Sequence, residues 1–83
     1  MAAMHPVTGK GINLFRAAEL GALVGHDIDA IGDVVEVLRL ERIALWAART
    51  RREDLYWRTW FMARDILTDL GIAGEHRSFW GRV

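Results

Sequence analysis

Histidine, serine and lysine are the residues most readily enlisted for catalysis, and here their spacing offers them little. His5, His26 and His76 share no helical spacing, and no His-x-x-x-His pair is present. Two imidazoles chelate one ion from a helix only when a one-turn spacing puts them on the same face. Ser78 is the only serine, and His76 lies just two residues before it, in a segment that reads as a tail. Gly9-Lys10-Gly11 lacks both the leading glycine and the hydroxyl residue after lysine that a phosphate-cradling loop requires. The chain has no cysteine, so redox chemistry and thiolate metal sites are excluded. The expectation is a non-enzymatic protein with no catalytic residues, no metal ligands and no cofactor.

The remaining chemistry belongs to arginine, aromatic rings and carboxylates. Ten of the eleven basic residues are Arg, and the chain holds four Trp. Trp46, Arg49, Arg51, Arg52, Tyr56, Trp57, Trp60 and Phe61 interleave the two types over sixteen positions. Arg pairs bidentately with carboxylates and stacks on rings, and Trp, Tyr and Arg dominate interface energetics. Such a series could also stack nucleic-acid bases. Net charge is zero, however, and only one Lys accompanies the Arg residues. These eight residues are therefore expected to meet a protein partner, with nucleic acid disfavoured.

The charges are unevenly spread. Residues 1–41 carry three basic and six acidic groups, and residues 42–83 carry eight basic and five acidic ones. Asp27, Asp29, Asp33 and Glu36 form the expected acidic contact set, in a stretch from Ala17 to Leu38 that has no Lys or Arg. A molecule with an acidic half and a basic half can attract its own copies.

Helices must position these groups. Residues 1–13 read as an irregular arm, broken by Pro6, Gly9 and Gly11, with Asn13 able to cap a helix. A short first helix runs from about Leu14 to Val24, with Leu14, Ala17, Ala18, Gly21 and Val24 as its apolar face and Leu20 beside them. Gly25 ends it in a turn. Asp27 or Asp29 caps a second helix reaching about Arg49. Ile31, Val34, Val35, Leu38, Leu45 and Trp46 form its main apolar row, with Val37, Leu40, Ala44 and Ala47 partly around the side. Thr50-Arg51-Arg52-Glu53 fits a capping box, which starts a third helix near Arg51; one unbroken rod is the rival. Tyr56, Trp60, Ala63, Leu67 and Leu70 stripe this helix, Trp57, Phe61 and Ile66 widen the stripe, and Gly71 closes it. Residues 72–83 read as an irregular tail. The expected architecture is all-α: one domain over 1–83, with a helical core at 14–70 in which a short helix precedes two longer ones packed as an antiparallel hairpin.

Gly21, Gly25 and Ile31, with Leu20, Val24 and Val34 in flanking core positions, resemble the helix-turn-helix of many bacterial and phage DNA-binding proteins. That resemblance implies a second helix entering the major groove. The segment that would do so carries Asp27, Asp29, Asp33 and Glu36 and no Lys or Arg, whereas phosphate neutralisation dominates such affinity. His5-Pro6-Val7-Thr8-Gly9-Lys10-Gly11-Ile12-Asn13-Leu14 resembles the His-Pro-x-x-Gly-Gln-Gly-x-Asn segment of flavin-dependent aromatic and quinone hydroxylases. It departs at Phe15-Arg16-Ala17 and lacks the dinucleotide-binding strand, so at most a remnant of a helical segment of that family is implied. Ala63-Arg64-Asp65 through Gly71-Ile72 is similar to the end of cysteinyl-tRNA synthetases.

A chain of 83 residues buries only ~60–65% of its unfolded surface and has a thin core. Association with a copy or a partner is a ready source of added stability, and an apolar content of 52% hints at it. The start of the chain lacks the basic and apolar regions of a signal peptide. The longest uncharged apolar run, Ile43 to Ala48, is far short of the ~20 residues of a membrane span. The expectation is a cytoplasmic helical interaction module that self-associates, such as an accessory subunit or a small inhibitor. A DNA-binding regulator and a flavin-hydroxylase remnant are the alternatives.

Overall fold

The computed structural model describes residues 13–25 and 27–81. Three helices, α1 (Leu14–Leu23), α2 (Ile28–Arg49) and α3 (Glu53–Asp69), are followed by a 3-10 turn at Ala73–Glu75. No strand occurs among the described residues. The all-α architecture is as expected, with α1 short and α2 and α3 packed together as a hairpin.

The helix starts are set by side-chain caps. Asn13 accepts from the Arg16 amide at 3.1 Å. Asp27 accepts from the amides of Asp29 at 2.9 Å and Ala30 at 3.1 Å. Each carboxamide or carboxylate satisfies amides that have no partner inside the helix.

The break between α2 and α3 is real, but a capping box does not make it. Thr50 is the C-cap of α2, and its hydroxyl donates back to the Trp46 carbonyl at 2.9 Å. Arg51 then takes a left-handed conformation, φ 59°. The amides of Arg51 and Arg52 donate to the carbonyls of Ala48 at 3.3 Å and Ala47 at 2.8 Å. This is the Schellman pattern, built on an arginine. Gly71 ends α3 the same way, with φ 78° and Ile72 donating to Leu67 at 2.9 Å. Helix α3 starts at Glu53, behind an Arg52 that makes no side-chain cap. Its first-turn acids, Glu53 and Asp54, suit the positive end of the helix dipole.

Two apolar clusters set the packing. Leu20 of α1 meets Val34, Val37 and Leu38 of α2 and Leu67 near the end of α3. Ala44, Ala47 and Ala48 of late α2 meet Tyr56 at the start of α3. Early α2 therefore faces late α3, and the two run antiparallel. The core of α2 takes from both expected rows: Val34 and Leu38 of the main row and Val37, Leu40, Ala44 and Ala47 of the side row are buried, whereas Val35 is exposed and Ile31, Leu45 and Trp46 are half-buried. A 22-residue helix gripped from two sides, by α1 and by α3, presents an inner face that one apolar row does not mark.

Helix α1 keeps Leu20 and Gly21 buried and Ala17 and Val24 half-buried, as expected, but two positions of its expected face point out. Leu14 is 78% exposed and Ala18 is also outside, while Arg16, at 3% exposure, is buried with Leu20 and Gly21. Beyond the 3-10 turn at Ala73–Glu75 the tail is irregular, as expected, but it is not free of the helices. Residues 76–81 have no regular structure, yet Phe79 and Trp80 pack onto the Tyr56 cluster.

Candidate interaction surface

The helical spacing of α1 puts Arg16 on the same side as Leu20, facing α2. Its Nε donates to Glu41 Oε1 at 3.3 Å and its Nη2 to Glu41 Oε2 at 2.9 Å. Nη1 donates to Glu75 Oε1 at 3.2 Å, and Nη2 also reaches the Glu75 carbonyl. One guanidinium thus ties α1 to α2 and to the 3-10 turn. Burial works against its charge, but the hydrogen bonds and charges of Glu41 and Glu75 outweigh that and raise its pKa. A balance of charges along the chain counts Arg16 and Glu41 without seeing that they pair. The available signal was that Arg16 falls on the stripe of Leu20, and Glu41 on the stripe of Val34, Leu38 and Ala44. Opposite charges on two facing apolar stripes mark a buried pair.

With its arginine turned inward, α1 turns apolar residues outward. Leu14, Phe15, Ala18, Ala22 and Leu23 are exposed, with Glu19 as the one charge among them. Phe15 is 86% exposed, and Ile28 at the start of α2 is 87% exposed. Large apolar side chains gathered on one short helix are the kind of surface that marks contact sites.

The Arg and aromatic residues occupy several different environments. Tyr56 is fully buried and belongs to the core, which corrects its expected place among contact residues. Its hydroxyl accepts from the amides of Phe79 at 2.8 Å and Trp80 at 3.1 Å. With both lone pairs taken, its own proton goes to Ser78 Oγ at 3.2 Å. Trp57 and Trp60 are half-buried and meet edge-on at 5.5 Å. Trp80 lies 5.2 Å from Tyr56, and the His76 ring lies 4.4 Å from Trp60. Arg52 sits 4.9 Å over half-buried Trp46, and Arg64 sits 4.8 Å over Phe61, which is exposed. Arg51 approaches Trp80 at 5.9 Å, and Arg49 is exposed. Arg51, Arg52 and Arg64 thus stack within the molecule rather than standing clear of it.

Asp27, the exposed N-cap of α2, is followed by exposed Asp29 and Asp33 in its first two turns. Glu36 is half-buried and pairs with Arg39 one turn on. Among the described residues, no ion pair joins this acidic set to Arg49, Arg51, Arg52 or Arg58. The length of α2, ~33 Å at 1.5 Å per residue, keeps the two sets apart.

A pocket of about 120 Å³ lies beside the Arg16–Glu41 pair, lined also by Leu38, Arg42, Leu45 and Phe79. It is well below the ~300–1,000 Å³ of ordinary ligand clefts, and the buried Arg16 that lines it is already paired with Glu41. No cluster of metal-ligating side chains occurs among the described residues. No helix among them is long and apolar enough to cross a membrane.

The residues that carry the helix-turn-helix resemblance lie at the α1–α2 junction. Leu20, Gly21 and Val34 are buried, Val24 and Ile31 are half-buried, and Gly25 has φ 72°. The outward face of early α2 is Ile28, Asp29, Gly32, Asp33 and Val35. All but the last two residues of the flavin-hydroxylase-like stretch, 5–14, lie outside the described residues, as does His26. The chain matches no protein family, no curated protein and no solved structure with which it was compared.

Proposed function

We propose that this protein is a non-enzymatic helical interaction module that associates with its own copies through the outer face of α1. The observation that carries the reading is the outward apolar face of α1, with Arg16 inside beside Leu20 and with Leu14, Phe15, Ala18, Ala22 and Leu23 outside. Burying those side chains would contribute most of the association energy, at ~25 cal/mol per Å² of apolar surface. The acidic end around Asp27, Asp29 and Asp33 and the arginine end around Arg49, Arg51, Arg52 and Arg58 favour an antiparallel pairing of two copies. Those charges act mainly on orientation and encounter rate. The acidic, apolar outer face of early α2 is ill suited to DNA, because it offers carboxylates where phosphates would lie.

Light scattering coupled to size-exclusion chromatography tests the reading. The wild-type chain should run as a dimer or larger species at tens of micromolar. Phe15→Glu with Leu23→Glu, both at exposed positions, should give a folded monomer of unchanged helicity. A wild-type monomer at that concentration would overturn the proposal.

A further inference from the structure

The C-terminal segment lies over the aromatic face of α3, and its fastenings differ in how they respond to acid. Glu75 is held by Arg16, and the amides of Phe79 and Trp80 are held by the Tyr56 hydroxyl. The first fastening is a guanidinium–carboxylate pair and the second a phenol hydroxyl, and neither holds an imidazole. The third fastening is His76, whose ring packs on Trp60 at 4.4 Å. Both of its ring nitrogens are buried without a hydrogen-bond partner. A neutral imidazole carries one N–H, whereas its cation carries two and a full charge, so protonation puts a full charge into a contact where both ring nitrogens are buried.

We propose that the segment from His76 to Gly81 is an acid-released cover, and that protonation of His76 lifts it from Trp60 and Tyr56 while Glu75 stays on Arg16 and the three helices stay folded. The groups around His76 come from every neighbouring element. Glu41 on α2 and the Trp60 carbonyl on α3 favour the cation, while Arg64 on α3 and Arg16 on α1 oppose it. Glu75 and Arg77 flank it along the chain. Burial is the largest influence, and the balance pushes His76 below its ordinary value.

Linkage sets the sign of the response. A released His76 takes its proton near pH ~6.5, while a covered one stays neutral to lower pH. Between those values the released state binds more protons and gains population as pH falls. One proton changes the released-to-covered ratio by at most ~tenfold per pH unit. The cluster of Leu20, Val34, Val37, Leu38 and Leu67 does not involve residues 76–81 and would hold the helices together. Release would bare Tyr56, Trp57 and Trp60, so the cover governs access to an aromatic surface.

Amide NMR of the full chain between pH 7.5 and 5.0 tests this. The Phe79 and Trp80 resonances should move toward unstructured positions, with α1, α2 and early α3 unchanged. His76→Phe and His76→Gln should each lose that pH response, His76→Phe with the segment still covering α3. The proposal is overturned if the two amides do not move in the wild type. It is equally overturned if they move alike in a well-folded His76 variant, or if the helix resonances collapse together with them.

Discussion

Arg16 of α1 and Glu41 of α2 meet edge to edge, Nε on one carboxylate oxygen and Nη2 on the other, at 3.3 Å and 2.9 Å with both residues buried. A paired geometry of this kind offsets the desolvation of two ions only because further partners complete it, and the side chain and carbonyl of Glu75 do so here. The pair therefore decides which face of α1 is inside. It also decides that Leu14 and Phe15 are left outside.

Removing one member should be costly. Arg16→Ala leaves Glu41 buried without its ion and should lower stability by ~3–5 kcal/mol, whereas replacing both residues with Met should cost far less. Urea unfolding of the single and double variants checks this. A single-variant loss below ~1 kcal/mol would mean that water reaches the pair.

Tyr56→Phe keeps the ring and deletes the hydroxyl that holds the amides of Phe79 and Trp80. A loss of ~1–3 kcal/mol is expected for leaving buried donors unmatched. Amide exchange at these two residues should speed up before any change in the helices appears.

Among the described residues, Arg51 is the non-glycine residue in a left-handed conformation, at φ 59°. Arg51→Gly should relieve that strain and stabilise the hairpin by ~1 kcal/mol, less whatever the 5.9 Å approach to Trp80 contributes. Thermal unfolding should show a higher midpoint. Gly71→Ala, at φ 78°, should shift it the opposite way by a similar amount.

Charge reversal by Arg51→Glu with Arg52→Glu should weaken association at low salt and have little effect at high salt, since exposed ion pairs contribute only ~0–1 kcal/mol and are screened. Trp60→Ala is a poor probe of association. The ring is half-buried between Trp57, Phe61 and His76, so its removal should destabilise the monomer itself. Sedimentation at two ionic strengths separates the two effects.

Helix number, order and approximate ends were legible because they depend on local chemistry: apolar residues at helical spacing, Asn13 and Asp27 as caps, and Gly25 and Gly71 as stops. The stop at Arg51 was legible only as a break, because an arginine in a left-handed position leaves no compositional trace. The inner face of α2 was legible in part, at Val34 and Leu38; both of its apolar rows have helical period, and only contact with α1 and α3 selects Val37, Ala44 and Ala47 over Val35. The outward apolar face of α1 and the fastening of the tail also belonged to tertiary structure. Arg16 is 25 positions from Glu41 and 59 from Glu75, and Tyr56 is 23 from Phe79. Sequence spacing reports neighbours along a helix. Whether a charge is buried or a phenol is capped depends on partners that only folding brings within hydrogen-bond distance.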